Sequence, residues 1–221
     1  MVDTHDNNTK SQSRASATSN EMDVPRFLIG IDEAGRAPLA GPVAVGAVLV
    51  PTDFDFSLVA GVKDSKQLTP QGREKWYQKI LGLEAVGLRH IVSYSSAETI
   101  DAQGITTAVY RAIISSLKRL GADPMLSEVR LDGALHAPRK FVNQRTIING
   151  DETEPVISLA AIAAKVRRDR LMTRLARRHT GYGFEKHKGY GTKEHYAAIA
   201  ALGMIPCIHR ASFCPPSMAV S

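Results

Sequence analysis

Apolar runs of strand length and a few 3.6-residue periodicities divide the chain into elements. Residues 26–32 (RFLIGID) and 42–50 (PVAVGAVLV) are continuous apolar stretches joined by the loop EAGRAPLAG, and residues 88–94 read as a third strand. The polar segment KDSKQL leads to Thr69, an N-cap with Pro70 at the first helical position, which predicts a helix over 73–81. A helical region opens at Ser96 or Ala97 and runs, with a break at Gly104, to Leu120, where Gly121 stops it. Residues 128–131 predict another strand, 145–149 are a brief β-branched run, and 155–179 carry the longest helical pattern. In its first half Leu159, Ile162 and Val166 share a face; Leu171, Met172 and Leu175 have moved round the axis. That helix should bend or change what it packs against. A glycine-rich segment, 181–191, precedes a last helix over 192–202. Strands that come first and then alternate with helices predict an α/β fold with a mixed sheet.

The length of 221 residues changes this picture only at the ends: one domain over 25–215 is expected, with 1–24 a disordered polar tail and 216–221 a short one. Hydrophobic residues at 43% and charged ones at 23% suit an ordinary globular core. No apolar run approaches the roughly 18 residues of a membrane span. Two cysteines exclude a disulfide scaffold and fit a reducing compartment, so a cytoplasmic location is expected. The net charge of +6 is unevenly spread. The first 23 residues sum to −2, whereas 159–195 hold ten Lys or Arg against three acids. Arg167, Arg170, Arg174, Arg177 and Arg178 fall within roughly one third of a helix circumference. The stripe is either a polyanion contact or a solvated helix face.

Three segments carry acids where chemistry could sit. Asp32 and Glu33 close an apolar strand, and adjacent carboxylates raise one another's pKa unless a proton or a hard cation intervenes; a solvated turn is the alternative. Asp132 repeats the plan of strand, terminal acid and glycine turn, and is otherwise a turn initiator. Asp151, between Gly150 and the long helix, is a third contributor or a helix-terminal acid. Strand-end carboxylates converge if their strands lie side by side. Four carboxylates holding two divalent ions are what metal-assisted phosphodiester hydrolysis needs. Cys207, His209 and Cys214, even with His195, match no common zinc spacing. Trp76 reads as a core or half-buried residue, and Asp169 as a helix-surface partner of Lys165.

The strings GIDEAGRAPLAGPV, KDSKQL, LDG, GDETEPVISLAAIAAKVRRD and YGFEKHKGYGT, with a later HRASF, run in order from Phe27 to Phe213 and together resemble the prokaryotic ribonuclease HII family. The resemblance implies a ribonuclease H-like mixed β-sheet flanked by helices with a C-terminal helical extension. It implies cleavage of RNA in RNA–DNA hybrids and at ribonucleotides embedded in duplex DNA, 5′ of the ribonucleotide, leaving a 5′-phosphate and a 3′-hydroxyl. It also places Asp32, Glu33, Asp132 and Asp151 as catalytic ligands of a two-ion Mg²⁺ or Mn²⁺ site. Gly35 and Arg36 match the first two residues of the family's Gly-Arg-Gly loop, which approaches the ribonucleotide and its 2′-hydroxyl, the group that tells RNA from DNA. Tyr190 matches the tyrosine that packs on the neighbouring sugar; without the resemblance it reads equally as a packing anchor for the last helix. Lys63, Ser65 and Lys66, and Lys186, His187 and Lys188 beside Tyr190, are placed by motif to receive the nucleic-acid backbone.

Ala37 departs from the pattern, standing where the family has glycine. If that position needs positive φ or close backbone approach, a methyl group costs on the order of 1 kcal/mol, and recognition of a lone ribonucleotide should weaken while chemistry survives. A monomer is expected. Pro215–Ser221 shows no aromatic pair of the kind used by family members that dock on the sliding clamp, so no clamp contact is expected. The rival readings are a non-catalytic hybrid-binding protein and a metal nuclease with another substrate.

Overall fold

A computed structural model describes residues 25–215. The expectations for the 1–24 tail, for 216–221 and, Pro215 aside, for the C-terminal peptide lie outside those residues. The elements are β1 (Phe27–Ala34), β2 (Val43–Pro51), α1 (Pro70–Gly82), β3 (Arg89–Ser95), α2 (Ala97–Gln103), α3 (Ile105–Leu120), β4 (Ser127–Asp132), β5 (Gln144–Ile147), α4 (Gly150–Thr153), α5 (Pro155–Arg178), α6 (Phe184–His187) and α7 (Lys193–Leu202). The five strands form one sheet in the order β3-β2-β1-β4-β5. β1 pairs antiparallel with β2 and parallel with β4, so the sheet is mixed and helices flank it.

Helices cover both faces of the sheet, which is why β1 and β2 read as unbroken apolar runs rather than alternating ones. Ile29, Ile31, Val43, Val45 and Leu49 meet Val109, Ile113 and Leu117 of α3 on one face. Leu28, Ala44, Val48 and Val50 meet Tyr77 and Ile80 of α1 and Val156–Val166 of α5 on the other. α5 lies directly on the sheet at two glycines. A Cβ on Gly30 would sit 2.3 Å from the Val156 carbonyl oxygen, and one on Gly46 2.2 Å from that of Ala160.

The long helix does change partners. Its first half is buried against the sheet, whereas Met172, Leu175 and Ala176 join Tyr182 and Phe184 in a separate C-terminal cluster. Gly104, at φ 79°, makes the expected break between α2 and α3. Thr69 caps α1 by accepting the Gly72 N–H, and Trp76 is half-buried against the α1–α5 core. The short helices α4 and α6 lie in glycine-marked segments whose patterns are too brief to predict them. Among the described residues, no helix is long and apolar enough to cross a membrane.

Candidate active site

The parallel register of β1 and β4 pairs Ile31 with Leu131, which puts the next residues, Asp32 and Asp132, side by side at the carboxyl ends of neighbouring strands. α4 then brings Asp151 over them, and its N–H donates to Asp132 Oδ1 at 3.3 Å. One carboxylate oxygen from each of Asp32, Asp132 and Asp151 lies within 4.8 Å of the others. Glu33 stands outside this trio. It lines the same cleft as Asp32 and Asp132, where its carboxylate meets the Arg36 guanidinium at 3.5 Å.

Burial sets the electrostatics. Asp32 is buried, and desolvation pushes its pKa well above the usual carboxylate range, reinforced by the charges of Glu33, Asp132 and Asp151. Its Oδ1 accepts the Glu33 N–H at 2.6 Å, which only partly offsets this. Desolvation likewise raises Glu33, against the pull of Arg36. Asp132 is raised by desolvation and by the Asp151 charge. Lys66 answers from the loop before α1: its ammonium donates to Asp151 Oδ2 at 2.9 Å, a bond that raises the Lys66 pKa. Converging buried and half-buried oxygens that repel one another fit a hard divalent cation, which removes the repulsion and takes oxygen ligands of this kind.

Asp32, Glu33 and Asp132 line a cleft of about 250 Å³ together with Gly35, Arg36, Ala37, Ser65, Lys66, Lys165 and Tyr190. Lys63 is exposed and is not part of that lining. Lys165 and Tyr190 also line a groove of about 710 Å³ between α1, α5 and α6, whose walls carry Arg73, Arg170, Arg174, Arg177, Lys186, His187 and Lys188. Two arginines of the predicted stripe have local partners: Arg167 donates to the Tyr77 hydroxyl at 3.3 Å, and Arg170 pairs with Glu74. Arg178 does not line the groove. Lys165 bonds Asp169 at 2.9 Å, as the spacing suggests. Tyr190 is 40% exposed, with its ring near Lys165 and Arg168, and so is not a core anchor. Ala37 is exposed and is not at positive φ, so the strain expected there on conformational grounds is absent; only its methyl group in the cleft remains.

Sequence reasoning missed two residues beneath the cleft. Arg168 and Arg210 are fully buried, and their guanidiniums hold the carbonyls of the loop after β1. A signal existed for Arg168: it falls on one helix face with Ala161, Ala164 and Met172, all buried. Arg210 has no comparable pattern. His195 and His209 bond each other at 3.2 Å, and their other ring nitrogens meet the Tyr190 carbonyl and the Ile205 N–H.

The family model described as Ribonuclease HII matches residues 29–215. The chain is 41% identical to a ribonuclease HII of Caldicellulosiruptor bescii over 189 residues, covering 85% of this chain and 86% of that one. It is 41% identical to a ribonuclease HII of Bacillus anthracis over 189 residues, covering 86% and 69%. Among solved structures, ribonuclease H2 from Pyrococcus horikoshii OT3 superposes with a TM-score of 0.68 at 26% identity, covering 84% of this chain and 93% of that one. A Bst-RNase HIII in complex with Mn²⁺ has the same fold, with a TM-score of 0.63 at 17% identity over 89% of this chain and 70% of that one.

Proposed function

Since the chain belongs to the ribonuclease HII family and is a metal-dependent ribonuclease H endonuclease, we propose that it cuts RNA in RNA–DNA hybrids and ribonucleotides embedded in duplex DNA. The cut falls 5′ of the ribonucleotide and leaves a 5′-phosphate and a 3′-hydroxyl. The observation that carries this reading is the convergence of Asp32, Asp132 and Asp151, from three separate segments, with Asp32 and Asp132 lining a cleft that also holds Arg36, Lys66 and Lys165.

In this reading Asp32, Asp132 and Asp151, with Glu33 at the flank, hold two divalent ions, Mg²⁺ or Mn²⁺. When bound, these ions supply activation of a water and stabilisation of the departing oxygen. The chain's own residues do the positioning. Arg174, Arg177, Lys186 and Lys188 lie along the adjoining groove and offer contacts to phosphates, which makes binding fall steeply with salt. Gly35, Arg36 and Ala37 meet the scissile nucleotide from one side of the cleft and Tyr190 from the other, so the 2′-hydroxyl is read between them. Lys66, anchored to Asp151, and Ser65 close the wall nearest the acids.

The test is cleavage of an end-labelled duplex with one ribonucleotide, beside an RNA–DNA hybrid, in Mg²⁺, Mn²⁺ or EDTA. Metal-dependent cuts 5′ of the lone ribonucleotide are expected. Asp32→Asn and Asp132→Asn should each lower kcat by about a thousandfold or more, the equivalent of several kcal/mol of lost charge stabilisation, while hybrid binding survives. Substantial turnover by either variant would refute the site, and metal-dependent binding without turnover by the unaltered protein would favour the binding-only reading.

A further inference from the structure

Two guanidiniums with no part in the hydrolysis itself lie under the loop that joins β1 to β2. Both Arg168 and Arg210 are 0% exposed. Among the described residues, no carboxylate comes within ion-pair distance of either. Their hydrogen bonds go to backbone carbonyls instead. Arg168 donates from Nε to Pro42 at 3.0 Å, from Nη2 to Ala40 at 3.2 Å and from Nη1 to Lys188 at 3.1 Å. Arg210 donates from Nε to Gly41 at 2.9 Å, from Nη1 to Arg36 at 2.7 Å and from Nη2 to Gly35 at 2.8 Å. Burial, and secondarily the charge of Arg168, drives the Arg210 guanidinium down to about 9. Two like charges in the interior are costly, and apolar side chains of similar volume would fill such a space more favourably. The arrangement is therefore explained by what the guanidiniums hold.

Each peptide unit is planar and trans, so fixing a carbonyl fixes the next N–H in the opposite direction. With the Gly35 and Arg36 carbonyls drawn onto Arg210, the N–H groups of Arg36 and Ala37 point away from it, and residues 35–37 form a wall of the cleft. Arg168 bridges this loop to the Lys188–Tyr190 turn on the other wall, and its guanidinium lies 5.9 Å from the centre of the Tyr190 ring. The Leu39 N–H bonds the Gly189 carbonyl at 2.8 Å, and the Arg210 N–H bonds the Leu39 carbonyl at 2.7 Å. The fit is close: a Cβ on Gly35, at φ 91°, would stand 1.9 Å from Arg168 Nε.

We propose that Arg168 and Arg210 are positioning residues for ribonucleotide specificity: they fix the separation and orientation of the two walls, residues 35–37 and Tyr190, between which a single ribonucleotide is read. This rests on the substrate reading above. A duplex with one ribonucleotide presents a single 2′-hydroxyl and depends fully on that alignment. A hybrid presents one at every RNA position and depends on it less.

The experiment measures kcat/KM on both substrates for the unaltered enzyme, Arg168→Lys and Arg210→Lys, with thermal unfolding of each protein recorded alongside. Lysine keeps the charge but not the three-way fork. The ratio of lone-ribonucleotide to hybrid cleavage should fall about tenfold or more in each variant, the worth of one charge-assisted hydrogen bond lost from the aligned state. A ratio unchanged in both folded variants, whether or not the two rates drop together, overturns the proposal, because a merely structural role moves both alike. Hydrogen exchange of the unaltered protein covers the case in which the variants do not fold. The Leu39, Gly41 and Arg210 amides should open as one unit; independent opening of the loop and Arg210 also overturns it. If the unaltered enzyme cuts neither substrate, the proposed function fails instead, and the exchange result still decides whether the two walls are clamped together.

Discussion

Two clusters of buried like charge lie within one loop of each other, and the protein settles them in opposite ways. At the ends of β1 and β4 the carboxylates of Asp32, Asp132 and Asp151 face one another with Lys66 as a local counter-charge, and its side chain is largely exposed to solvent. Beneath residues 35–42 each nitrogen of the Arg168 and Arg210 guanidiniums donates to a neutral carbonyl, three per side chain. The acid cluster is left with a net charge that a cation from outside can neutralise, so it is reactive. The basic cluster is complete within the chain, so it is rigid. A metal nuclease needs both: an unsatisfied centre for the ions, and a satisfied frame that holds substrate against it.

The largest effect expected here separates the regions by the sign of their pH dependence. Behind the basic cluster, His195 and His209 share one hydrogen bond, and the ring nitrogens are all engaged when both imidazoles are neutral: His195 Nδ1–H donates to the Tyr190 carbonyl, His209 Nε2–H to His195 Nε2, and the Ile205 N–H to His209 Nδ1. Burial, followed by the facing His195 and the nearby His179, lowers His209 from 6.5 to about 4; burial also lowers His195. A histidine whose folded pKa is depressed binds its proton more readily unfolded. Its contribution is intact above about pH 6.5 and is lost as the pH falls toward 4, on the order of 2 kcal/mol. The acids run the other way. Raised folded pKa values make the metal-free acid centre most tolerable at low pH and increasingly repulsive as the pH rises through them. Urea unfolding between pH 4 and 7.5 should show a smaller acid-side decline in His209→Gln, His195 keeping its own share. A decline of unchanged size in that variant would remove the histidine pair from the account.

The acid region gives the next effect. Without divalent ions at pH 7.5, Asp132→Asn should stabilise the protein by about 1 kcal/mol, because one of the facing charges is gone and solvent already screens part of the repulsion. For a chain of this size that is a rise of about 2–4 °C in Tm. Millimolar Mn²⁺ should reverse the order, since only the intact acid set gains stability by binding ions to the folded state. An Asp132→Asn protein less stable than the original in EDTA would mean that the carboxylates are already neutralised within the chain, and the contrast between the two clusters would collapse.

The two regions were unequally legible in the sequence, and the reason is physical. Asp32 and Asp132 each end an apolar strand, and parallel pairing in register turns that sequence pattern into proximity. Asp151 lies on a four-residue helix too short to carry periodicity; its position between Gly150 and the long helix leaves it a third contributor or a helix-terminal acid, and only the resemblance chooses between the two. Arg168 sits in a run of arginines where composition suggests solvent, and the apolar face it shares with Ala164 and Met172 was the clue to its burial. Arg210 bonds residues 169 to 175 positions away, a relation no local spacing encodes. Glu33 was legible from its adjacency to Asp32, and it lines the same cleft; its pairing with Arg36, three residues on in the following loop, is the detail that strand pattern does not encode.

Ala37 lies where the two regions meet, and it carries the smallest expected effect. Its backbone is not in the left-handed region, so replacing it with glycine relieves no strain. Glycine there instead adds freedom to the unfolded chain, a cost of about 0.4–1 kcal/mol at a position whose φ alanine accepts. Within the folded loop the added freedom is limited, because Arg210 already holds the carbonyls on both preceding residues. What Ala37→Gly removes from the cleft is a methyl group, and closer approach of a sugar should raise cleavage of the lone-ribonucleotide duplex about two- to threefold, less than 1 kcal/mol, with hybrid cleavage unchanged and Tm slightly lower. Paired kcat/KM values on the two substrates decide it. A fall on the lone ribonucleotide would mean that alanine stiffens the wall by more than its methyl group obstructs, and that the rigid frame rather than open space limits recognition at this position.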